Sequence, residues 1–287
     1  TQIIGKNDKL PALNLEDQPM QIRAMTENDI DDVVNVIDTH DDDDAEDARH
    51  DFEKFGVSDQ WVVEVEGSAV GTSGFRRVPE TDGTGWISWT YVDAERCGHG
   101  IGRGLFKHVL DQISNDGGNK IFIKVSNYQD EDGEKTYLAA TKMYESFGFA
   151  RVLVSKDFYD SGEDQYIYSK DLRPVDIEDE LKAEEKPAIR FVDIFEIGET
   201  DGAYSFTWQV INKPLFQQRS FSADDLTVGL KAVKESGGRI VFLTFPCNLP
   251  LIHSPLSDAG FKFVGQFTDY YERGVHEMHF VHRLDGI

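Results

Sequence analysis

The chain has few cysteines, few basic residues and no long apolar segment. Its two cysteines, Cys97 and Cys247, cannot form a disulfide framework or a four-thiolate zinc site. Its apolar runs, such as residues 240–245, are far shorter than the roughly 20 residues that span a bilayer. No charged-then-apolar leader opens the sequence. We therefore expect a soluble, cytoplasmic protein with reduced thiols.

The shortage of basic residues gives the chain a strongly negative charge. It has 29 lysines and arginines against 53 acidic residues, a net charge of -24. Such a field repels nucleic acid and anionic lipid, so we expect neither as a partner. Half of this charge lies in residues 26–53, where 13 acidic residues accompany one basic residue, Arg49. The stretch is either a solvated or salt-adapted surface or a rim that attracts a cationic substrate.

The length of 287 residues, with 39% apolar residues, is sufficient for about two domains. We predict an irregular arm at residues 1–19, a first domain at residues 20–173, an acidic linker at residues 174–188 and a second domain at residues 189–287. The patterns in the first domain predict a strand, two helices and three strands, then a helix, a strand, a helix and a hairpin. The third strand of the middle group is predicted at residues 86–92.

The second domain partly repeats the first at one constant, ungapped offset in residue number, which we call the repeat offset. Seven residues recur within 25 positions: Gly148, Phe149, Val152, Asp157, Tyr159, Gly162 and Leu172 reappear as Gly260, Phe261, Val264, Asp269, Tyr271, Gly274 and Leu284. Upstream, Trp89–Asp93 is similar to Trp208–Asn212. Self-similarity of this kind predicts a duplicated fold. We expect an α/β (α+β) protein with two mixed-sheet domains in tandem, the second shorter.

A glycine-rich loop lies between a predicted strand and an amphipathic helix. It contains Gly98, Gly100 and Gly102, and Arg103 follows. Glycines there let backbone N–H groups and the helix N-terminus meet a phosphate, although a simple tight turn uses the same residues. The dinucleotide-binding fingerprint has a different glycine spacing at the first turn of alternating strands and helices, so it does not fit.

Two segments resemble the GNAT superfamily of N-acetyltransferases. Tyr91–Leu105 resembles the acetyl-CoA signature and Lys142–Phe149 resembles the second motif, within a likeness that covers residues 20–173. The resemblance implies a sheet splayed between its fourth and fifth strands, with CoA in the wedge. It implies cofactor contacts at Tyr91, Val92, Cys97, Gly98, His99, Gly100, Ile101, Gly102, Arg103 and Asn127. Cys97 departs from the family, which usually has Gln or Arg there, so we expect weaker or altered CoA binding.

The resemblance makes Tyr144 the general acid that protonates the departing CoA thiolate, since a phenol is protonated at neutral pH. Its alternative role is a core aromatic residue. No general base is identifiable, because Trp86, Ser88 and Thr90 share one face of the predicted strand and none is a carboxylate. Cys97 precedes a helix, where a thiolate is favoured, but no His and acid accompany it in sequence, so we interpret it as a structural replacement.

Three histidines in the second domain, at positions 276, 279 and 282, lie on a predicted strand. His279 would point away from the other two, so we predict strand packing and no metal site.

The second domain lacks a counterpart of the glycine loop, because residues 213–220 contain a proline and no glycine. We therefore predict a degenerate GNAT-like domain that covers the first domain's sheet or walls its acceptor pocket. The predicted function is acetyl transfer from acetyl-CoA to a primary amine of a cationic small molecule, by direct attack in a ternary complex. The alternative is a non-catalytic CoA-binding or protein-interaction protein. A homodimer stays open as the oligomeric state.

Overall fold

The computed structural model describes residues 21–129, 137–172, 188–211, 222–249 and 252–284. The predicted arm, the loop at residues 213–220 and all but residue 188 of the linker lie outside these ranges. The chain divides into two compact units, Thr1–Phe75 with Ser88–Gln112, and Arg76–Ile87 with Ile113–Ile287. The predicted domain boundary at the linker stays a prediction, since this division falls elsewhere.

Helices and strands follow one another largely as the periodicity predicts. In chain order they are β1 (Gln21–Ala24), α1 (Ile30–Asp38), α2 (Asp42–Phe55), β2 (Gln60–Val65), β3 (Ser68–Arg77), β4 (Thr84–Ile87), β5 (Tyr91–Val92), α3 (Ile101–Asn115), β6 (Lys120–Ser126), α4 (Leu138–Ser146), β7 (Ala150–Asp160), β8 (Glu163–Asp171), β9 (Ala188–Glu196), β10 (Ala203–Ile211), α5 (Ala223–Glu235), β11 (Ile240–Pro246), α6 (His253–Asp258), β12 (Lys262–Glu272) and β13 (Val275–Arg283). Among the described residues, no helix is both long enough and apolar enough to cross a bilayer.

The first unit is built on an antiparallel sheet with β2 between β1 and β3 and with β5 paired to β3. A capping box precedes α1: the Thr26 amide and hydroxyl both donate to the Asp29 carboxylate, at 2.8 and 2.7 Å. Arg23 adds an ion pair to Asp29 at 2.7 Å. The hydrogen bond from Arg23 lowers the pKa of Asp29, so this carboxylate is a stabilising anion at neutral pH.

Two sequence predictions in this region need correction. The single strand predicted at residues 86–92 is two strands, β4 and β5, separated by residues 88–90. In that break the Ser88 hydroxyl donates to the Gln60 side chain at 2.6 Å, and the Thr90 hydroxyl lies 2.9 Å from that of Ser73. The spacing of Ala48, Phe52 and Phe55 predicts a second helix after the run of aspartates, but the helix begins within the run, at Asp42, because Asp41 caps it.

The second unit contains two mixed sheets. In one, β4 is parallel to β6, and β8 and then β7 follow antiparallel. In the other, β10 is parallel to β11, β13 and then β12 follow antiparallel, and β9 lies on the far side of β10. Leaving β9 aside, strand order and directions are the same in the two sheets.

The correspondence between these two sheets extends to local irregularities. β12 and β13 begin and end at the residues that the repeat offset makes equivalent to the bounds of β7 and β8. The β7–β8 pairing is irregular at Arg151/Leu153, and the β12–β13 pairing at the equivalent Phe263/Gly265. Asp157 and Asp269 both have positive φ, 54° and 52°, and each accepts the amide of a turn glycine at 2.8 Å. Because bulges and positive-φ residues are specific backbone features, their repetition indicates two copies of one supersecondary unit.

Candidate functional site

The strand β5 is held against β3 at close range. Val92 is paired with Gly71 and Tyr91 with Thr72. A Cβ atom on Gly71 would lie 3.2 Å from the Tyr91 carbonyl oxygen, so the approach of the two backbones requires glycine or a small shift. The Asp93 amide extends the pairing by donating to the Val70 carbonyl at 3.0 Å. The backbone that leads into the glycine loop is therefore fixed at its start.

The glycine loop turns from β5 into α3 through two left-handed residues. Gly98 and Gly100 have φ of 83° and 82°, which other L-residues adopt only with strain. A Cβ atom on either glycine would meet no atom within 4 Å, so the loop has an open face. Helical hydrogen bonding begins when the Gly104 amide donates to the Gly100 carbonyl at 3.0 Å. The amides of the first helical turn have no intrahelical acceptor, and such amides bind anions.

The N-terminus of α3 packs directly on β5. Ile101 is buried in a cluster with Leu105, Val63 and Val70, and Val92 packs against this cluster. A Cβ atom on Gly102 would lie 3.3 Å from the Val92 side chain, so the helix approaches the strand closely. This packing positions the first turn of α3 beside the end of β5.

The connection between α1 and α2, and the first turn of α2, contact β5 and the residues after it through polar groups that the sequence did not reveal. His40 Nε2 lies 2.7 Å from the Val92 carbonyl oxygen, and the Thr39 hydroxyl accepts the Ala94 amide at 3.1 Å. The Tyr91 hydroxyl donates to the Asp44 carboxylate. One lone pair of the carbonyl of Val92, a residue predicted to contact the cofactor, is thus engaged by His40. These residue pairs are 47 to 55 positions apart, which no local pattern can indicate.

Cys97 lies ahead of the open face of the loop and keeps its proton. Its sulfur is 3.6 Å from the Val92 carbonyl oxygen. Desolvation of the sulfur, and then the Asp93 carboxylate, raise the pKa of the Cys97 thiol. These surroundings do not favour a thiolate at Cys97, and its role as a structural replacement stays a prediction.

The acidic run is part of the first turn of α2. Asp41 is the N-cap and accepts the Asp44 amide at 3.0 Å. Asp42 and Asp43 follow in the first turn, where carboxylates interact favourably with the helix dipole. Side-chain oxygens of Asp41, Asp42 and Asp43 lie within 4.8 Å of one another. Helix capping therefore explains part of the run, and the concentrated negative charge remains.

Tyr144 and Asn127 belong to the second unit. Tyr144 lies on α4, is 6% exposed, and its ring centroid is 6.3 Å from that of Phe149. Asn127 Oδ1 accepts the Asp164 amide at 2.7 Å. In the second sheet, Cys247 follows β11 as Asn127 follows β6, and the Cys247 sulfur accepts the His276 amide at 3.2 Å. The same kind of bond therefore occurs in the second domain, whose sequence has no counterpart of the glycine loop. This indicates that the bond of Asn127 is structural.

The three histidines of the second domain have packing contacts. His276 Nδ1 accepts the Asp269 amide at 2.9 Å, and the His282 ring packs on Phe261 at 5.3 Å between centroids. Burial lowers the pKa of His282, which favours its neutral form. His279 packs on Phe267 at 4.0 Å. The three histidines lie on β13, and each has a different neighbour on β12 or directly before it.

A tryptophan bridges the point where the second mixed sheet opens. β10 and β11 pair in parallel only at residues 203–205 and 240–242, and β4 and β6 also pair over three residues. Beyond the pairing, Trp208 Nε1 donates to the Thr244 carbonyl at 2.7 Å, and the indole stacks on Phe245 at 4.7 Å. In the first unit, Trp89 donates instead to Asp51 of α2 at 3.2 Å. The sequence repeat pairs these tryptophans but does not predict their different directions.

In this mixed α/β chain, a glycine loop suited to binding phosphate lies between a strand and a helix. Such an arrangement suits a nucleotide-bearing cofactor. Residues 28–149 match the model of the acetyltransferase (GNAT) family. This segment is a GNAT acetyltransferase domain, which confirms the family that the sequence resembles. No match was found among curated proteins.

Several solved structures are similar to about half of the chain. An N-acetyltransferase from Staphylococcus aureus has 20% identity and a TM-score of 0.45, covering 54% of this chain and 99% of its own. The ribosomal-protein-S18-alanine N-acetyltransferase of Escherichia coli has 16% identity and a TM-score of 0.45, covering 57% and 100%. A Salmonella typhimurium protein assigned to the acetyltransferases and solved with acetyl-CoA has 18% identity and a TM-score of 0.44, covering 56% and 98%.

Proposed function

We propose that the chain is an N-acetyltransferase that moves the acetyl group of acetyl-CoA to a primary amine of a cationic small molecule. The observation that carries this proposal is the open, left-handed loop at Gly98 and Gly100 before α3. Backbone amides and a helix N-terminus bind a pyrophosphate without a specific side chain, so the change to Cys97 does not remove the grip. Arg103 and Arg96 add positive charge to a very acidic chain.

The reaction is a direct attack. The neutral amine nitrogen forms a bond to the acetyl carbonyl carbon, the carbon–sulfur bond breaks, and the amine loses a proton to water or a remote base. The departing thiolate takes a proton from the Tyr144 hydroxyl, and water then returns a proton to the Tyr144 phenolate. The Tyr144 ring packs beside Phe149, so a Tyr144→Phe variant, which keeps the ring, distinguishes this role from packing alone. The hydroxyls of Ser88 and Thr90 are engaged with Gln60 and Ser73, so we assign neither as the base.

We propose one cofactor site per chain. The bond from Trp208 to Thr244 spans the opening of the second mixed sheet, and the indole occupies space beside Phe245. This contact supports the prediction that the second domain is degenerate, and the missing glycines support it as well. That domain then has a structural role.

The acceptor is proposed to be polycationic, for example a polyamine or an aminoglycoside-like compound. Carboxylates of Asp41, Asp42 and Asp43 cluster within 4.8 Å, and a rim of this charge raises the local concentration of cations. Such carboxylates also favour the charged amine, so one amine must lose its proton while other cationic groups hold the substrate. Neutral arylamines and acidic peptides are expected to be poorer acceptors.

The test is a turnover assay that measures release of the CoA thiol with a panel of amines. We expect polyamines or aminoglycosides to give the highest kcat/KM, and an arylamine and an acidic peptide to give little. Titration with acetyl-CoA should show one site per chain. If acetyl-CoA binds and no amine increases thiol release above the amine-free rate, the non-catalytic alternative is correct. Two binding sites would contradict the proposed loss of the second one.

A further inference from the structure

The second unit contains an internal interface whose contacts occur in equivalent pairs. The Asp82 amide donates to the Tyr271 carbonyl at 2.6 Å, and the Asp201 amide donates to the Tyr159 carbonyl at 2.7 Å. Tyr159 and Tyr271 are equivalent at the repeat offset. Asp82 and Asp201 each precede, by two residues, the strand that is parallel to its neighbour, β4 or β10. The same contact therefore occurs twice: the loop before β4 contacts β12, and the loop before β10 contacts β7.

The aromatic contacts of this interface follow the same exchange. Phe122 on β6 packs on Tyr270 at 5.4 Å between ring centroids, and Phe242 on β11 packs on Phe158 at 5.1 Å. Phe158 and Tyr270 are equivalent positions of β7 and β12. Phe122 and Tyr270 belong to one buried cluster with Leu153, Ile167 and Phe267, so the interface has an apolar centre. Burial of such a cluster is the main stabilising contribution in an interface of this kind.

Cations at the starts of β6 and β11 bind the opposite hairpins. Lys120 Nζ donates to the Thr268 carbonyl of β12 at 2.5 Å. On the other side, Arg239 donates to the carbonyls of Asp157 and Phe158 on β7, the latter at 3.1 Å. The two cations are not identical, but each reaches from the parallel strand of one segment to the bulged strand of the other. The polar contacts of the interface are therefore exchanged in the same way as its aromatic contacts.

The centre of the interface is occupied by an equivalent but unlike pair. Leu153 and Gly265 correspond at the repeat offset, and a Cβ atom on Gly265 would lie 2.4 Å from Leu153 Cδ1. Contact between equivalent positions is what a two-fold interface has at its axis. Two identical segments would place two leucines there. The leucine on one side needs the glycine on the other, so the pair suits unlike segments only.

We infer that the β12–β13 segment is a built-in partner: it occupies the surface of the β7–β8 segment that a second copy of the same fold would use in a two-fold dimer. This surface fits a related segment that has a small residue at the centre of the interface. The same chain supplies that segment. This surface is then closed to homodimerisation. The inference does not depend on acetyl transfer, because it concerns packing within the second unit.

A double-mutant cycle tests the unlike central pair. Gly265→Ala should lower the melting temperature, and Leu153→Ala should remove part of that loss by making room for the new methyl group. We expect the loss caused by Gly265→Ala to be smaller by about 2–4 °C in the Leu153→Ala background, a shift typical of 1 kcal/mol for a protein of this size. Backbone strain at Gly265, with φ of 154°, is present in both backgrounds and cancels.

Gly162→Ala is the matched control. Gly162 also has positive φ, 89°, and a Cβ atom there would meet nothing within 4 Å. Its cost should be the same whether or not the chain also carries Leu153→Ala. Equal losses for Gly265→Ala in both backgrounds would overturn the inference.

A second test uses the full chain with a protease site inserted within residues 174–187. After cleavage of the folded protein, the two fragments should elute together on size exclusion, with the mass of the intact chain. Separation of the fragments under native conditions would also overturn the inference. Neither experiment measures activity, so failure of the proposed enzymatic function would leave both results interpretable.

Discussion

Replacing Gly100 by alanine separates cofactor binding from backbone strain. The φ of Gly100 is 82°, and a left-handed conformation costs an alanine roughly 1–2 kcal/mol. The added methyl group meets no protein atom within 4 Å, so no steric clash adds to this cost. The methyl group would instead project into the open face where we place the pyrophosphate. We expect Gly100→Ala to lower the free energy of unfolding by the strain alone and to weaken acetyl-CoA binding by about tenfold or more.

Gly67→Ala is the control, because Gly67 has φ of 89° and equally open space in the turn between β2 and β3. Urea unfolding should give similar losses of stability for the two variants. Isothermal titration should give a weaker acetyl-CoA affinity for Gly100→Ala only. If both variants bind acetyl-CoA as the unmodified protein does, or if both lose affinity equally, the assignment of the loop is wrong.

Three further predictions concern the acid, the acceptor and the pH dependence of stability. Tyr144→Phe should lower kcat by roughly 10²-fold or more with little change in acetyl-CoA affinity, because only the proton donor is removed; an unchanged kcat would make Tyr144 a packing residue. Asparagine at positions 41–43, with Asp44 kept for its bond to Tyr91, should preserve the helix cap and raise the KM for the preferred amine, and added salt should have the same effect. If neither changes KM, the run is only a solvated or salt-adapted surface. The pKa of Asp29 is lowered in the folded protein, so its contribution to stability is complete above about pH 4, the ordinary range of an aspartate, and decreases as the pH falls. In acid titrations followed by circular dichroism, Asp29→Asn should therefore lose less stability between neutral and acidic pH than the unmodified protein, and identical pH profiles would contradict this.

Local patterns predicted most of the secondary structure because the physics behind them is local. The stripe of Val33, Val34 and Ile37 is buried along α1, and the spacing of Thr26 and Asp29 is a capping box in the structure. Both features involve residues three or four positions apart on one helix. The repeat was also visible in the sequence, because turns and positive-φ positions accept few residue types, and glycine and aspartate are among them.

The contacts that define the site had no local signal. The break between β4 and β5 depends on Gln60 and Ser73, whose side chains are hydrogen-bonded to the hydroxyls of Ser88 and Thr90, respectively. The contact of His40 with the Val92 carbonyl joins a helix end to a distant strand. A sequence pattern shows which face of an element is apolar, but tertiary packing decides which polar group meets which partner. For the same reason the different hydrogen-bond partners of Trp89 and Trp208 were not predictable.

The most direct test of acetyl transfer follows a labelled acetyl group in a single turnover. Protein in excess over acetyl-labelled CoA is incubated without and then with the preferred polycationic amine, and the protein, CoA and amine are separated and analysed by mass spectrometry. We predict that no label becomes attached to the protein and no CoA is released before the amine is added, and that the label then appears on an amine nitrogen with one CoA thiol per acetyl group. Label that stays on acetyl-CoA with every amine tested would contradict the proposed activity, and label on the protein would contradict direct attack.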